Sequence, residues 1–327
     1  MSNHTKLRWY RFTIARKIRN LEGDQLISEL EGIIEDIINK KLDKIGLFKL
    51  QIRELESMIS ETKSKPKTKG RQYDPFEIPY SGDGRITLFG ISNVGKSTLM
   101  NAITNTDVKT GGYLHTTRTA HAGTLEYQNV KIQIIDVPGF LDFKEDWATS
   151  KQILRVARTS DAILMVIDLS MDIMRQYNFL VKQLEDARMI ENGETTYKFG
   201  IIATKGDLPN TKEKYQELAE ITELPICPIS IKEEVSLEKL KKTMFNQLEI
   251  IRIYSKKPGT KPNLDNPLVL PEGATVVDIA RKIHTSFVDS FRYARVTGSS
   301  AEFESQQVGI DHVLADEDIV ELIVTKR

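Results

Sequence analysis

From Ile27 to Ile59 the apolar residues recur three or four positions apart. Ile27, Leu30, Ile34 and Ile37 form one series, and Ile45, Phe48, Ile52, Leu55 and Ile59 a second. That spacing is the stripe of an amphipathic helix. The phase slips between Asn39 and Gly46, so the pattern predicts two helices joined by a turn. A structural hairpin explains the stripe, and a partner-binding coil fits the same positions. The run Lys63 to Gly70, with Lys63, Lys65, Lys67 and Lys69 alternating around Pro66, predicts an exposed linker. Contact of these lysines with RNA phosphates stays open as a second use.

Beyond the linker the pattern changes to short apolar runs separated by helical periods. The predicted strands are Arg85–Phe89, Thr124–Gln128, Lys131–Asp136, Ala162–Asp168, Phe199–Thr204 and Ile226–Ser230. The predicted helices are Ser97–Asn105, Ser150–Arg158, Arg175–Ile190, Thr211–Ile221 and Leu237–Leu248. Strands alternating with helices argue for a mostly parallel α/β sheet covered on both faces. From about Ile251 the pattern shifts again. Ile251–Tyr254 and Asp265–Leu270 read as strands, Thr275–Asp289 as one amphipathic helix, and Gln307–Ile310 and Ile319–Val324 as further strands. The expected organisation is therefore a helical region and linker over 1–72, an α/β domain over 82–250, and a compact α+β domain over 251–327.

Composition refines this picture. Of 327 residues, 40% are hydrophobic, enough for several cores, and no apolar run is long enough to span a membrane. No charged n-region followed by an apolar h-region opens the chain. The single cysteine, Cys227, excludes an internal disulfide framework and suits a reducing compartment. Its apolar neighbours predict a buried packing thiol. Together these point to a cytoplasmic protein without membrane partners.

The formal net charge is zero, yet residues 1–73 carry about +6. Lys6, Arg8, Arg11, Arg16, Lys17 and Arg19 precede the first acid, Glu22, with Trp9, Tyr10 and Phe12 among them. Such an asymmetric start suggests contact with RNA or another polyanion. Organelle transit peptides share this composition, but the helical pattern runs on here with no visible cleavage boundary.

The chemistry centres on Gly90-Ile91-Ser92-Asn93-Val94-Gly95-Lys96-Ser97, a G-x-x-x-x-G-K-[ST] phosphate-binding loop between a predicted strand and a predicted helix. Backbone N–H groups from Ser92 to Thr98 and the helix N-terminus are expected to converge on an anion. Gly90 and Gly95 let the backbone come close. Lys96 is expected to reach the β/γ-phosphates, and the Ser97 hydroxyl to hold Mg²⁺. Asp136-Val137-Pro138-Gly139 ends the next strand but one. Asp136 can anchor Mg²⁺ through a water, and the Gly139 N–H can meet the γ-phosphate.

Thr204-Lys205-Gly206-Asp207 closes another strand. The Asp207 carboxylate can accept two hydrogen bonds from guanine N1 and N2, a donor pair that adenine lacks. The Lys205 stem can lie along the base. Ser230, with Ile231 after it, ends a strand where a backbone N–H can meet the guanine oxygen. Between the phosphate loop and Asp136, the polar stretch Lys109–Arg118 has the length of a switch loop. Thr117, with Thr116 as the alternative, is expected to complete the Mg²⁺ shell while the γ-phosphate is present. Lys96, Thr117 and Gly139 thus form the expected catalytic set.

These motifs, G-I-S-N-V-G-K-S, T-T, D-V-P-G and T-K-G-D, resemble the G1 to G4 elements of translation-factor-class GTPases. Further stretches resemble the DRG (developmentally regulated GTP-binding protein) family of the Obg group. They are Ile45–Leu50, Val156–Asp161, and the C-terminal series Ile251–Tyr254, Pro267–Leu270, Gly273–Val276, Ile283-His284 and Val308–His312. The resemblance implies a C-terminal TGS domain, a ubiquitin-like β-grasp. It also implies a cytoplasmic GTPase linked to ribosomes or translation and working with a regulatory partner protein. The sequence departs from that family at four places. Thr204 stands where Asn is usual, Ser230-Ile231-Lys232 replaces S-A-x, Phe140–Trp147 replaces a Gly-rich switch, and too few residues separate Asp136 from Asp207 for the family's inserted small domain.

The residue after Gly139 is Phe140, whose ring cannot orient an attacking water. Intrinsic hydrolysis is therefore expected to be slow, on the order of 10⁻⁴ to 10⁻² s⁻¹. Asn93 resembles the asparagine that holds K⁺ beside the phosphates in potassium-activated GTPases, which implies K⁺ stimulation; a polar loop residue without an ion is the alternative. Two other readings of the chain compete. An Obg-type ATPase is opposed by Asp207, and a non-enzymatic RNA-binding scaffold would use nucleotide only to stabilise its fold.

Overall fold

The computed structural model describes residues 23–64, 76–104, 119–140, 147–190, 195–284 and 286–325. Before them it describes Leu7, Tyr10, Arg11, Ile14, Lys17, Ile18 and Leu21. The expected switch loop with Thr116 and Thr117, most of the Lys63–Gly70 linker, and residues 141–146 after Phe140 lie outside the described residues. Two compact units are present, one built on Ile14–Tyr127 with Lys131–Leu248, the other on Glu249–Arg327.

The first unit opens with the expected helix pair, α1 (Gly23–Asn39) and α2 (Gly46–Ser64), joined through a short 3₁₀ turn at Leu42–Lys44. Leu30, Ile33 and Ile37 are buried on α1, and Phe48, Leu55 and Ile59 on α2. The apolar stripe therefore faces inward, although Ile33 rather than Ile34 takes the fully buried place on α1. The Tyr197 hydroxyl donates to the Glu54 carboxylate, which ties α2 to the body of the unit.

That body is a six-stranded sheet. Its strands are β1 (Gly84–Phe89), β2 (His121–Tyr127), β3 (Val130–Asp136), β4 (Ala162–Asp168), β5 (Phe199–Thr204) and β6 (Ile226–Pro228), ordered β2-β3-β1-β4-β5-β6. The pairs β1–β3, β1–β4, β4–β5 and β5–β6 are all parallel. β2 and β3 are joined by Gln128-Asn129 alone, both at positive φ, the conformation of a type I′ hairpin turn. Helices α3 (Lys96–Ile103), α4 (Trp147–Arg158), α5 (Ile173–Asp186), α6 (Thr211–Ile221) and α7 (Glu234–Leu248) connect the strands. All residues of β1, β4 and β5 are buried, which explains the near-continuous apolar runs of β4 and β5, while β1 buries Arg85 and Thr87 among its apolar residues. Cys227 is buried as expected, and burial pushes its thiol pKa up.

The second unit is a five-stranded mixed sheet. It contains β7 (Ile250–Lys256), β8 (Leu268–Pro271), β9 (Phe291–Thr297), β10 (Gln306–Val308) and β11 (Ile319–Val324), in the order β10-β9-β11-β7-β8. The first and last strands, β7 and β11, pair in parallel at the centre, the arrangement of a β-grasp. Helix α8 (Val276–Ile283) covers one face, burying Val276, Ile279 and Ala280 against Ile253, Ala294, Val296 and Val320.

Two expectations are corrected here. The helix over Thr275–Asp289 is not continuous. It stops at Ile283, His284 is extended, and a short turn α9 (Ser286–Asp289) follows. The His284 ring supplies the reason, because its Nδ1 accepts from the Ser286 N–H at 3.2 Å and so satisfies the backbone of a new turn. The second correction is β9, to which the sequence reading assigned no element. It pairs with both β10 and β11. Its alternation is interrupted by Arg292 and Arg295, both exposed. The Arg295 guanidinium lies 3.6 Å from Glu321 and over the Tyr293 ring.

Candidate nucleotide-binding site

Parallel strands bring their C-terminal ends to one edge of the sheet, and the register decides which residues meet there. Leu88 pairs with Asp136, Phe89 with Met165, and Asp168 with Thr204. The phosphate loop after Phe89, the D-x-x-G turn after Ile135 and the T-K-x-D turn after Ala203 therefore converge, although up to about a hundred residues separate them. Ligands on open α/β sheets bind at this edge.

The phosphate loop runs from Gly90 into the N-terminus of α3. Asn93 is exposed in the left-handed region at φ 65°, and Gly95, at φ 93°, caps the helix. A side chain at Gly90 would meet the Val166 carbonyl oxygen at 2.7 Å, so β4 presses directly on the loop. Val94 and Lys96 are buried, while Thr98 on the first turn of α3 is exposed. The Lys96 ammonium donates to the carbonyls of Ile91 at 2.8 Å and Gly90 at 3.2 Å. Burial pushes its pKa down to about 8, against the opposing pull of Asp136.

The D-x-x-G turn is laced to the same loop. The Phe140 N–H donates to the Gly90 carbonyl at 3.2 Å. At Gly139 a Cβ would fall 2.4 Å from both N and Cα of Ser92, so only glycine allows this approach. Phe140 turns into the core, with ring centroids 4.7 Å from Phe89 and 6.4 Å from Phe179.

The Ser97 hydroxyl donates to Asp136 Oδ2. The other carboxylate oxygen, Oδ1, is buried and has no hydrogen-bond partner among the described residues. Burial raises the Asp136 pKa, opposed first by Lys96, then by Ser97 and His121. A buried, unsatisfied carboxylate oxygen beside a serine hydroxyl is a hard-oxygen donor set that suits Mg²⁺ with its retained waters. The residues present therefore fit the expected ion.

On the base side, Thr204 is buried and its hydroxyl lies 2.9 Å from the Val94 carbonyl oxygen and 3.3 Å from that of Ile167. Lys205 has φ 61°, in the left-handed region. The Gly206 N–H donates to the Ile229 carbonyl at 2.9 Å, which fixes the turn to the end of β6. The Asp207 carboxylate accepts from Lys232 Nζ at 2.7 Å, and that bond chiefly holds its pKa below the ordinary value. Ser230 is buried just beyond β6, and its N–H donates to Ser236 Oγ at 2.9 Å, while Ile231 next to it is exposed.

One functional candidate escaped the sequence reading. Asp168 ends β4 fully buried, and the Lys205 ammonium lies 2.5 Å from its Oδ2. A carboxylate after six buried apolar residues was the available signal.

Residues 85–205 match the family described as 50S ribosome-binding GTPase, and residues 251–324 match the TGS domain. The chain joins a P-loop GTPase domain to a TGS domain. Relatives align with it over most of their own length. GTP-binding protein 1 of Schizosaccharomyces pombe is 28% identical, covering 86% of this chain and 93% of the relative. The developmentally-regulated GTP-binding protein 2 homolog of Dictyostelium discoideum is 26% identical, covering 95% and 99%. Human developmentally-regulated GTP-binding protein 2 is 26% identical, covering 91% and 98%. The alignment with the Dictyostelium relative runs over 371 positions against the 327 residues here, so that relative carries residues with no counterpart in this chain. The resemblance to DRG proteins read from the motifs thus extends along most of the GTPase and TGS domains.

Proposed function

We propose that this protein is a Mg²⁺-dependent GTPase switch that acts on RNA or ribosomes. The observation that carries the GTPase reading is the Ser97–Asp136 pair, with its second, buried carboxylate oxygen unsatisfied among the described residues. Ser97 and Asp136 would hold Mg²⁺ there, and the ion would supply positive charge to offset what develops in phosphoryl transfer. Lys96 would leave the loop carbonyls to bind the β/γ-phosphates, and Gly139 would offer its N–H to the γ-phosphate. Thr117 would join the ion from the switch loop. Asp207 would select guanine, with Lys205 along the base and the Ile231 N–H near the guanine oxygen.

Slow intrinsic turnover follows from Phe140, which is committed to the core and offers no group to a water. K⁺ stimulation rests on Asn93, exposed in the phosphate loop, whose amide oxygen would hold a monovalent cation beside the phosphates. Phosphate release, measured with and without Mg²⁺ and in K⁺ against Na⁺ buffers, tests these points. Turnover without Mg²⁺ would overturn the ion's role. Equal rates in the two salts, with N93A matching the parent, would remove the potassium claim.

The ribosome and RNA reading is supported by the basic first 73 residues and by the family description matched at residues 85–205. Co-sedimentation with ribosomes should be stronger with a non-hydrolysable GTP analogue than with GDP, and should weaken steeply with salt. Equal pelleting in both nucleotide states would remove the switch. A flat salt response, or unchanged binding after deletion of residues 1–20, would count against RNA contact.

A further inference from the structure

The T-K-x-D turn contains a lysine whose ammonium is held by an acid from another strand. Asp168 Oδ1 accepts from the Ser170 N–H at 2.8 Å and from Ser170 Oγ at 2.6 Å. Its Oδ2 lies 2.5 Å from Lys205 Nζ, in ion-pair contact though without the alignment of a hydrogen bond. Ser170 Oγ stands 3.5 Å from the same ammonium. The backbone of Asp168 is fixed as well. Gln176, itself buried, accepts from its N–H at 3.0 Å and donates to its carbonyl at 2.9 Å. This carboxylate is therefore rigid, dehydrated and paired with one cation.

Lys205 is the exposed half. Its side chain is 43% exposed, and its left-handed backbone starts the stem in a direction few lysines adopt. A four-carbon stem on an exposed turn samples many rotamers, and freezing them on ligand binding costs affinity. Anchoring the far end to Asp168 removes most of that freedom beforehand.

We propose that Asp168 is a positioning residue for guanine nucleotide binding, and that it acts by pinning Lys205 so that the stem presents its apolar flank to the base. Asp168 itself touches neither base nor phosphate in this scheme. Selection between guanine and adenine stays with Asp207. The proposal rests on the guanine-nucleotide reading above. The two fail separately: absence of nucleotide binding in the parent protein ends that reading, whereas a parent that binds and a D168N variant that binds equally well end only this one.

The test is a double-mutant cycle read by GDP affinity, using D168N, K205M and the double variant in the full chain. Asn keeps an acceptor for Ser170 but loses the negative charge. In the presence of Lys205, D168N should weaken GDP on the order of tenfold, the scale of one lost charge-assisted contact. In the K205M background the same change should weaken it no further. Equal losses in both backgrounds would show a merely structural role and overturn the proposal. Should D168N fail to fold, S170A serves in its place, because it removes one of the bonds that orient the carboxylate. The expected result is a smaller loss, roughly threefold, again confined to the Lys205 background. No loss with S170A would overturn the proposal. The GDP-to-ADP affinity ratio should hold in D168N, and its collapse would also overturn the scheme.

Discussion

The hydroxyl of Thr204 lies 2.9 Å from the carbonyl oxygen of Val94, joining the T-K-x-D turn to the G-x-x-x-x-G-K-S loop. Sequence comparison within the resembled family would expect an asparagine there. Here a threonine at the buried end of β5 makes the connection through its hydroxyl. Replacing it by valine keeps the shape and leaves the Val94 carbonyl without this donor. We expect T204V to weaken GDP binding by about fivefold, corresponding to ~1 kcal/mol for one net hydrogen bond. Fluorescent GDP displacement reads this directly, and an unchanged dissociation constant would show that the clip is dispensable.

Asp207 should decide which purine enters. Its carboxylate complements the guanine N1–H and N2–H₂ donors, whereas the amide of D207N can donate to the 2-oxygen of xanthine. The variant should lose at least about a hundredfold in GTP affinity and gain affinity for XTP. Competition between the two nucleotides in the parent and variant proteins provides the check. A variant that still prefers GTP would place base selection elsewhere.

Phe140 is a core residue as well as the neighbour of Gly139. F140A should destabilise the protein by roughly 3–5 kcal/mol, the usual cost of emptying a buried aromatic site. Thermal unfolding would register this loss. F140Q should not speed hydrolysis, because the side chain at this position points between Phe89 and Phe179 rather than toward the phosphates. A faster F140Q would mean that the turn reorganises when nucleotide binds.

Lys96 should make phosphate binding depend on protons. Burial lowers its pKa to about 8 in the free protein, and a bound polyphosphate would raise it. The bound state then holds more protons than the free state above that value. Affinity should be level below about pH 8 and fall as pH rises beyond it. GDP titrations between about pH 7 and 9 would show the decline. K96M should bind weakly throughout and show no such slope. A parent protein whose affinity does not change over this range would mean that Lys96 keeps its proton despite burial.

Much of the architecture was legible because its signals are local. The buried runs of β1, β4 and β5, the helix pair with its slip near Asn39, and the phosphate loop between strand and helix each follow from residues close together in the chain. The β-grasp was read less completely. β9 lies next to the central strand β11, yet its two exposed arginines hid the alternation, and only the neighbours across the sheet show that Ala294 and Val296 face the core.

The motifs and their order along the chain determined that a phosphate loop, a D-x-x-G turn and a T-K-x-D turn would occupy the ends of three strands, β1, β3 and β5. The reason is that backbone approach to an anion and recognition of guanine each require specific residues at fixed local spacings. Tertiary structure alone decided what those residues share. It set Asp168 against Lys205, Thr204 against Val94 and Ser97 against Asp136, and sent Phe140 against Phe89 and Phe179. These pairings depend on strand register and on distances of a few ångströms between segments far apart in sequence, and no local pattern encodes such distances.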